Sequence, residues 1–347
     1  MIDTLPKGER AVLYVGSGGD GLLNETGVPR RTYWYRRTRN RALTLAAYFV
    51  SQVHLFLTLL LSRDIARDAI IYVNTLLPFG AALYGRLTGR PVIYHVHEVS
   101  VRPAPFRALL VAIARLTATR LIYVSLTHRA LLPIAEARAV TVYNTIDPAL
   151  AAQAAAHNYE ARSGGIFTVL MLCYARDYKG VPEFLRLAAT LAGRRDIRFQ
   201  LVLSDADEGT PPPVVTPNVT LLPPTRNPAG YYSGASLVLN LSRPDLAVET
   251  FGLTLLEAMA FGAPVIAPPV GGPAEVVSDG QEGFLIDSRD GAALARAVER
   301  LADDEGLCRT LSRNARATAA RYDRETFGRG IADVIAAARS PAGARPA

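Results

Sequence analysis

The residues best equipped for chemistry lie in one stretch, Glu249 to Val277, which reads ETFGLTLLEAMAFGAPVIAPPVGGPAEVV. Between Leu253 and Ile266 its only ionisable side chain is Glu257, set among Leu255, Leu256, Met259 and Phe261 at helical spacing. A carboxylate so surrounded is expected to be buried, and burial of an unpaired charge is expensive. Accepting both ribose hydroxyls of a nucleotide would offset that cost; so would an internal arginine or a water, and the residue types alone leave these open. Glu249 stands eight residues earlier, just before Phe251-Gly252. A glycine there lets the backbone approach a ligand, and the helix that follows presents free N–H groups toward it. A second loop, Val270-Gly271-Gly272-Pro273, places glycines after a strand and a proline at a first helical position. Two such loops at strand C-terminal ends form the crevice where open α/β sheets bind nucleotides, although two tight turns would look the same.

The elements that must position these residues alternate in the manner of a parallel sheet with crossover helices. Strands are expected at Ala11–Val15, Ile70–Val73, Val92–Val96, Leu121–Val124 and Val140–Tyr143, with helices at Phe79–Leu87 and Phe106–Leu116. A second series follows: strands at Thr168–Leu172, Gln200–Leu203, Val219–Leu221, Leu237–Leu239 and Val265–Ala267, and helices at Pro182–Leu191, Leu253–Ala260 and Ala292–Leu301. Two series in 347 residues suggest two α/β domains, 1–150 and 166–339, a linker at 151–165 and a disordered tail at 340–347.

These residues resemble the family 4 glycosyltransferases, retaining enzymes of the GT-B fold. The resemblance runs through most of residues 90–330 and is strongest from Glu249 to Asp287, where the glutamate pair is followed by AMAFGAPVIA, GGPAEVV and DGQEGFLI. It implies two Rossmann-like domains facing each other across a cleft, with the last helix, around Asp323–Ala338, crossing back to the first. It makes Glu249 the contact to the transferred sugar and Glu257 the ribose anchor. The N–H groups around Phe251, Gly252, Leu253 and Thr254 would hold sugar and diphosphate. It also places an arginine and a lysine on the diphosphate from the loop Cys173–Gly180. Lys179 matches; the usual arginine position is Tyr174 here, and Arg176 is the nearest substitute. Two fixed cations would stabilise the charge that builds on the leaving diphosphate, so no metal and no cofactor is expected. In PVIYHVHE, residues 91–98, His97 rather than His95 aligns with a histidine that contacts the sugar near the reacting bond. In TVYNTIDP, residues 141–148, Thr145 replaces a usual glycine, and Asn144 and Asp147 read as structural.

Two motifs read as decoys. Gly16-Ser17-Gly18-Gly19-Asp20-Gly21 fits a dinucleotide fingerprint, but Arg36-Arg37-Thr38-Arg39 stands where a ribose-binding acid belongs, and Pro29 cuts the required helix short. In the family such a loop lines the acceptor cleft near the diphosphate, which brings Gly18 and Gly19 toward the donor. Asp205-Ala206-Asp207 mimics a metal-binding pair but leads into a proline-rich loop, where solvated carboxylates are expected.

Composition bounds the setting. Cys173 and Cys308 are the only cysteines and lie far apart, and the opening MIDTLPKGER lacks a signal pattern, so a cytoplasmic location is expected. Residues 1–150 carry 18 basic against 9 acidic side chains, whereas the remainder carries 20 against 22. An anionic partner of the first half is implied: a lipid headgroup, a phosphorylated acceptor or nucleic acid, for which no reading module is present. Arg30, Arg31, Arg36, Arg37, Arg39 and Arg41, interleaved with Tyr33, Trp34 and Tyr35, suit an anionic membrane surface. The segment Ala42–Leu61, without a charge, admits three readings: a buried core helix first, then a helix lying on a membrane, then a span. The expectation is a peripheral enzyme of the inner membrane face. It would move a sugar from a nucleotide-sugar to a glycan or lipid-linked acceptor in cell-envelope polysaccharide synthesis. A nicotinamide oxidoreductase and a non-catalytic nucleotide-sugar-binding protein are the alternatives.

Overall fold

The computed structural model describes residues 10–17, 27–98, 101–204 and 213–340. The chain divides into two compact units. One runs to Val124, resumes over Arg129–Val142 and takes in the chain from Gly328; the other comprises Ser125–His128 and Tyr143–Phe327.

The first unit begins with β1 (Leu13–Gly16) and β2 (Arg30–Tyr33), a parallel pair. Helix α1 (Arg41–Leu61) follows, then β3 (Ile71–Asn74), α2 (Phe79–Leu87), β4 (Val92–Val96), α3 (Ala104–Thr117) and β5 (Arg120–Tyr123). A short α4 (Leu126–Leu131), within which the division between units falls, leads to β6 (Ala139–Thr141). Strands β3-β4-β5-β6 form a parallel sheet in that order. All of β4 is buried, as a strand covered on both faces must be. Its core joins Val92, Tyr94 and Val96 to Leu76, Phe79 and Ala82 before and within α2 and to Leu110 and Ala114 of α3.

Helix α1 is not the buried core helix that its composition favours. Only Ser51, Gln52, Leu55 and Leu59 are buried, and Gln52 Oε1 accepts the Gly80 N–H at 3.1 Å. Leu43, Val50, Val53, Leu57, Leu60 and Leu61 are exposed. Strand β2 was not legible in sequence. It pairs with β1 directly after Pro29, where a dinucleotide fingerprint would need helix, and takes up Arg30 and Arg31.

The second unit contains α5 (Pro148–Ala156), β7 (Phe167–Tyr174), α6 (Val181–Thr190), β8 (Ile197–Ser204), β9 (Val219–Leu222) and α7 (Ala229–Ser233). It continues with β10 (Leu237–Leu239), α8 (Leu253–Ala260), β11 (Val265–Ala267), α9 (Pro273–Val276), β12 (Gly283–Leu285), α10 (Gly291–Asp303) and α11 (Glu305–Ala319). The last helix, α12 (Arg324–Arg339), has its residues from Gly328 in the first unit, where the Ala337 carbonyl accepts from Arg120 Nη2 at 3.2 Å. Six parallel strands lie in the order β12-β11-β10-β7-β8-β9. Val169, Met171, Phe199, Leu201, Leu237 and Ile266 share one core with Phe184 of α6 and Leu294 and Val298 of α10.

Residues 151–165 are part of this unit rather than a free linker. Asp147 caps α5 by accepting from the Ala149 and Leu150 N–H groups at 2.8 and 3.2 Å. Leu150 and Ala154 are buried, and the Tyr159 hydroxyl donates to the Ser236 carbonyl at 2.7 Å. The alanines carry too weak an apolar period to announce a helix, yet they are strong helix formers behind a good cap.

Candidate active site

In the second sheet β7 leads to β8 and β9 on one side, while β10 leads to β11 and β12 on the other. The order reverses between β7 and β10, and such a switch in strand order is the usual ligand position in an open α/β sheet. The sequence-predicted residues Lys179 and Glu249 come from the loops after these two strands.

After β7 the chain makes a single 3-10 turn, Asp177–Lys179, with the Lys179 N–H on the Arg176 carbonyl at 3.0 Å. Gly180 then adopts φ 76°. A Cβ there would also lie 2.0 Å from the Leu241 carbonyl oxygen, so only glycine lets this loop rest against the chain leaving β10. That approach brings Lys179 Nζ into an ion pair with Glu249 Oε2, both side chains being largely covered. Ser242 Oγ donates to the same carboxylate oxygen at 3.2 Å. The Lys179 ammonium also stands 5.4 Å from the Tyr178 ring centroid. Arg176 lies on the same loop, half-buried, with Nη1 donating to the Ala175 carbonyl at 3.1 Å.

Glu249 is held from its other side by the second glycine loop. Gly272 N–H donates to the Glu249 carbonyl at 2.9 Å. A Cβ on Gly272 would fall 2.3 Å from Phe251 Cα, and one on Gly271 would fall 2.5 Å from the Glu249 carbonyl oxygen. The two loops therefore pack backbone to backbone, and the glycine pair exists for that contact. Gly252 caps α8 at φ 89°, Phe251 is buried beneath it, and Leu253 and Thr254 open the helix. Their N–H groups have no carbonyl one turn back and point out of the helix start.

Glu257 projects from α8 one turn further on. It is not isolated: the Tyr232 hydroxyl of α7 donates to its Oε2 at 2.7 Å. Burial raises the Glu257 carboxyl above its ordinary value, the hydrogen bond from Tyr232 opposing that and the charge of Asp147 adding to it. Tyr232 and Ser242 are the two site residues that the sequence did not announce. A tyrosine in AGYYS and a serine in LSRP carry no spacing signal; only the fold brings them to the two glutamates.

His97 belongs to the first unit, just past β4. Its Nε2 donates to Asn74 Oδ1 at the end of β3, at 3.0 Å, and its ring lies 4.3 Å from that of His95. His95, the alternative in the same motif, is buried in the sheet with Nδ1 2.8 Å from the Tyr72 hydroxyl. Glu98 accepts from the His97 and Leu76 N–H groups at 3.2 Å each. Between them Thr75 adopts φ 78°, the one non-glycine positive φ among the described residues. For a β-branched residue this is strained by about 1–3 kcal/mol. The strain sits beside the asparagine that fixes the histidine ring. Gly18, Gly19 and the Asp205/Asp207 pair lie outside the described residues.

Known proteins are similar to this chain in sequence over part of the second unit and in fold over most of its length. Residues 166–304 match the family model described as Glycosyl transferases group 1. A D-inositol 3-phosphate glycosyltransferase of Streptomyces avermitilis is 42% identical over 90 residues, 26% of this chain and 19% of that protein. The putative glycosyltransferase EpsD of Bacillus subtilis is 39% identical over 89 residues, 26% of this chain and 23% of that one. The chain thus spans about a fifth of the length of the curated relatives it matches. The structure of Anabaena Alr3699/HepE in complex with UDP aligns over 94% of this chain and 99% of that one, at a TM-score of 0.74 and 20% identity. Sucrose-phosphate synthase from Thermosynechococcus elongatus aligns over 88% and 82%, at a TM-score of 0.67 and 20% identity. The fold is that of the GT-B glycosyltransferases, and residues 166–304 are similar to the group 1 glycosyltransferases.

Proposed function

We propose that this protein is a retaining, metal-independent glycosyltransferase that takes a sugar from a nucleotide-sugar. The observation that carries the reading is the meeting of Lys179 and Glu249, 70 residues apart, at the point where the sheet order reverses. Complexes with UDP among similar folds support a nucleoside diphosphate as the donor's leaving part. In this reading the donor exchanges partners with the site. The diphosphate displaces Glu249 from Lys179, and the freed carboxylate, still held by Ser242, accepts hydroxyls of the sugar. As the bond between anomeric carbon and diphosphate oxygen breaks, its electron pair leaves with the diphosphate, an acceptor hydroxyl oxygen bonds the anomeric carbon, and the hydroxyl proton passes to the departing diphosphate. Lys179, Arg176 and the N–H groups opening α8 stabilise its charge. Glu257 accepts the ribose hydroxyls, and by the resemblance His97 contacts the transferred sugar. The acceptor is a glycan or lipid-linked sugar of the kind used in envelope polysaccharides.

A screen of nucleotide-sugars by thermal shift identifies the donor, because a ligand of the native state alone must raise the melting point. Transfer from that donor in excess EDTA, with the new linkage keeping the donor's anomeric configuration by NMR, supports the reading. Inversion, or a strict need for manganese or magnesium, refutes it. The second outcome would turn attention to Asp205 and Asp207.

A further inference from the structure

The first unit carries a surface that none of this chemistry uses. On α1 the exposed residues Leu43, Ala46, Val50, Val53, Leu57 and Leu60 recur at alternating steps of three and four, opposite the buried Ser51, Gln52, Leu55 and Leu59. Val50, Val53 and Leu61 are 56%, 59% and 77% exposed, and no side chain from Ala42 to Leu61 is charged. Apolar side chains scattered singly over a surface need no explanation, whereas a continuous stripe about five turns long does.

A basic strip is laid along the same helix. The segment from Arg31 to Thr38 runs antiparallel to α1 and is pinned at three points. Arg31 bonds Ser62 Oγ at 3.3 Å and pairs with Asp64, just past the helix end. The Trp34 N–H donates to His54 Nδ1 at 3.1 Å near mid-helix, and the Thr38 N–H donates to Thr44 Oγ1 at 3.0 Å in the first turn. Trp34 is therefore carried beside the stripe, and Arg36, Arg37 and Arg39 follow toward the helix start, where Arg41 is the first residue; all five are exposed.

We propose that α1 and the strip Arg30–Arg41 form a docking face for an anionic phospholipid bilayer, the helix lying in the plane of the headgroups. An apolar face bordered by arginines and an interfacial tryptophan meets the chemical demands of that layer. A second copy of the chain fits less well. A paired helix draws partner choice and register from charges flanking its seam, and the flanking residues here are Ala47, Phe49, His54, Phe56 and Leu61. A soluble phosphorylated ligand would account for the arginines and leave the stripe unexplained. The inference uses residues of the first unit alone and does not depend on the proposed transfer reaction.

Trp34 is the only tryptophan, so its fluorescence reports directly on this face. The full chain is mixed with vesicles of phosphatidylcholine alone or with added phosphatidylglycerol, and then sedimented. Cosedimentation and a blue shift are expected with the anionic vesicles only, and both should fall at high salt. At about fivefold per basic residue, changing Arg36, Arg37, Arg39 and Arg41 to glutamine should lower partitioning on the order of a hundredfold or more. Leu57→Asp with Leu60→Asp should abolish it with the melting point little changed, because both side chains already face solvent. Four results would overturn the proposal: equal recovery with neutral vesicles, no shift of Trp34, release by soluble glycerol phosphate at matched ionic strength, or a dimer in solution that the double aspartate variant dissociates.

Discussion

Replacing Glu257 by glutamine separates a binding role from a structural one. In the free protein this carboxylate is buried, raised above its ordinary value, and served by one hydrogen bond from Tyr232. Folding therefore leaves the charge undercompensated, and removing it should not lower the melting point at neutral pH. Bound donor alters the balance, because ribose hydroxyls would donate to a charged acceptor, each such bond being worth about 1.5–3 kcal/mol. Glutamine keeps one acceptor oxygen, so the loss should be about 1–3 kcal/mol, roughly 5- to 150-fold in Kd. The pH dependence has a definite sign. With its folded-state value raised, Glu257 binds a proton more readily in the native than in the unfolded chain. Its contribution to stability is thus greatest below the ordinary value of 4.5 and falls as pH climbs through the raised one. Donor binding runs the other way, since it needs the ionised form: affinity should rise through the same window with release of a proton. Calorimetry with UDP in two buffers of different ionisation heat measures both the affinity and the proton. An unchanged Kd in Glu257→Gln, a pH-independent affinity in the parent, or a large drop in the melting point of the free variant would each refute the assignment.

The other predictions test the loops and the cations. Lys179→Ala should cost on the order of a hundredfold or more in turnover, while Glu249→Ala should lower turnover more than donor affinity; steady-state rates with a titrated donor separate the two. Gly272→Ala places a Cβ 2.3 Å from Phe251 Cα, so the loop carrying Glu249 must shift. We expect a lower melting point and an activity loss that added donor does not rescue. Asn74→Ala removes the hydrogen bond from His97 Nε2 and should depress turnover with the fold intact, as judged by circular dichroism. Thr75→Gly relieves a strained φ of 78° and should raise stability by up to about 1 kcal/mol, read by denaturant unfolding.

The buried strands were legible because each is a short apolar run between turns: Val92–Val96 and Leu237–Leu239 appear where their composition puts them, as do α2 and α8. Strand β2 was hidden because Arg30-Arg31-Thr32-Tyr33 has no apolar face; its partner β1 and the anchors along α1 make it a strand. Strand β12 is three residues long and begins with Gly283, which periodicity cannot register; a Cβ there would lie 1.8 Å from the Val265 carbonyl oxygen of the neighbouring strand. For α1 the composition was read correctly as uncharged and the burial was not. An apolar residue type does not say which of its faces finds a partner.

At the candidate site the same distinction has a sharper form. Sequence exposes a residue when its type is anomalous for its place: a lone acid in an apolar helix, one of only two lysines beside 36 arginines, paired glycines after a strand. Glu257, Lys179 and Gly271-Gly272 are of this sort, and the structure puts each at the ends of β7, β10 and β11 or on the helix between. Tyr232 and Ser242 are not anomalous where they stand, yet each holds one of the two glutamates. Glycine spans the two cases. Its type is visible in the sequence, but the reason for it, a backbone 2.0 Å from an imagined Cβ at Gly180, exists only once β10 has paired with β7 and brought Leu241 against the loop. What remained illegible is therefore of one kind. It is the set of contacts between segments remote in sequence whose residues are ordinary until they meet, and in this chain those contacts aim the residues that the sequence had already singled out.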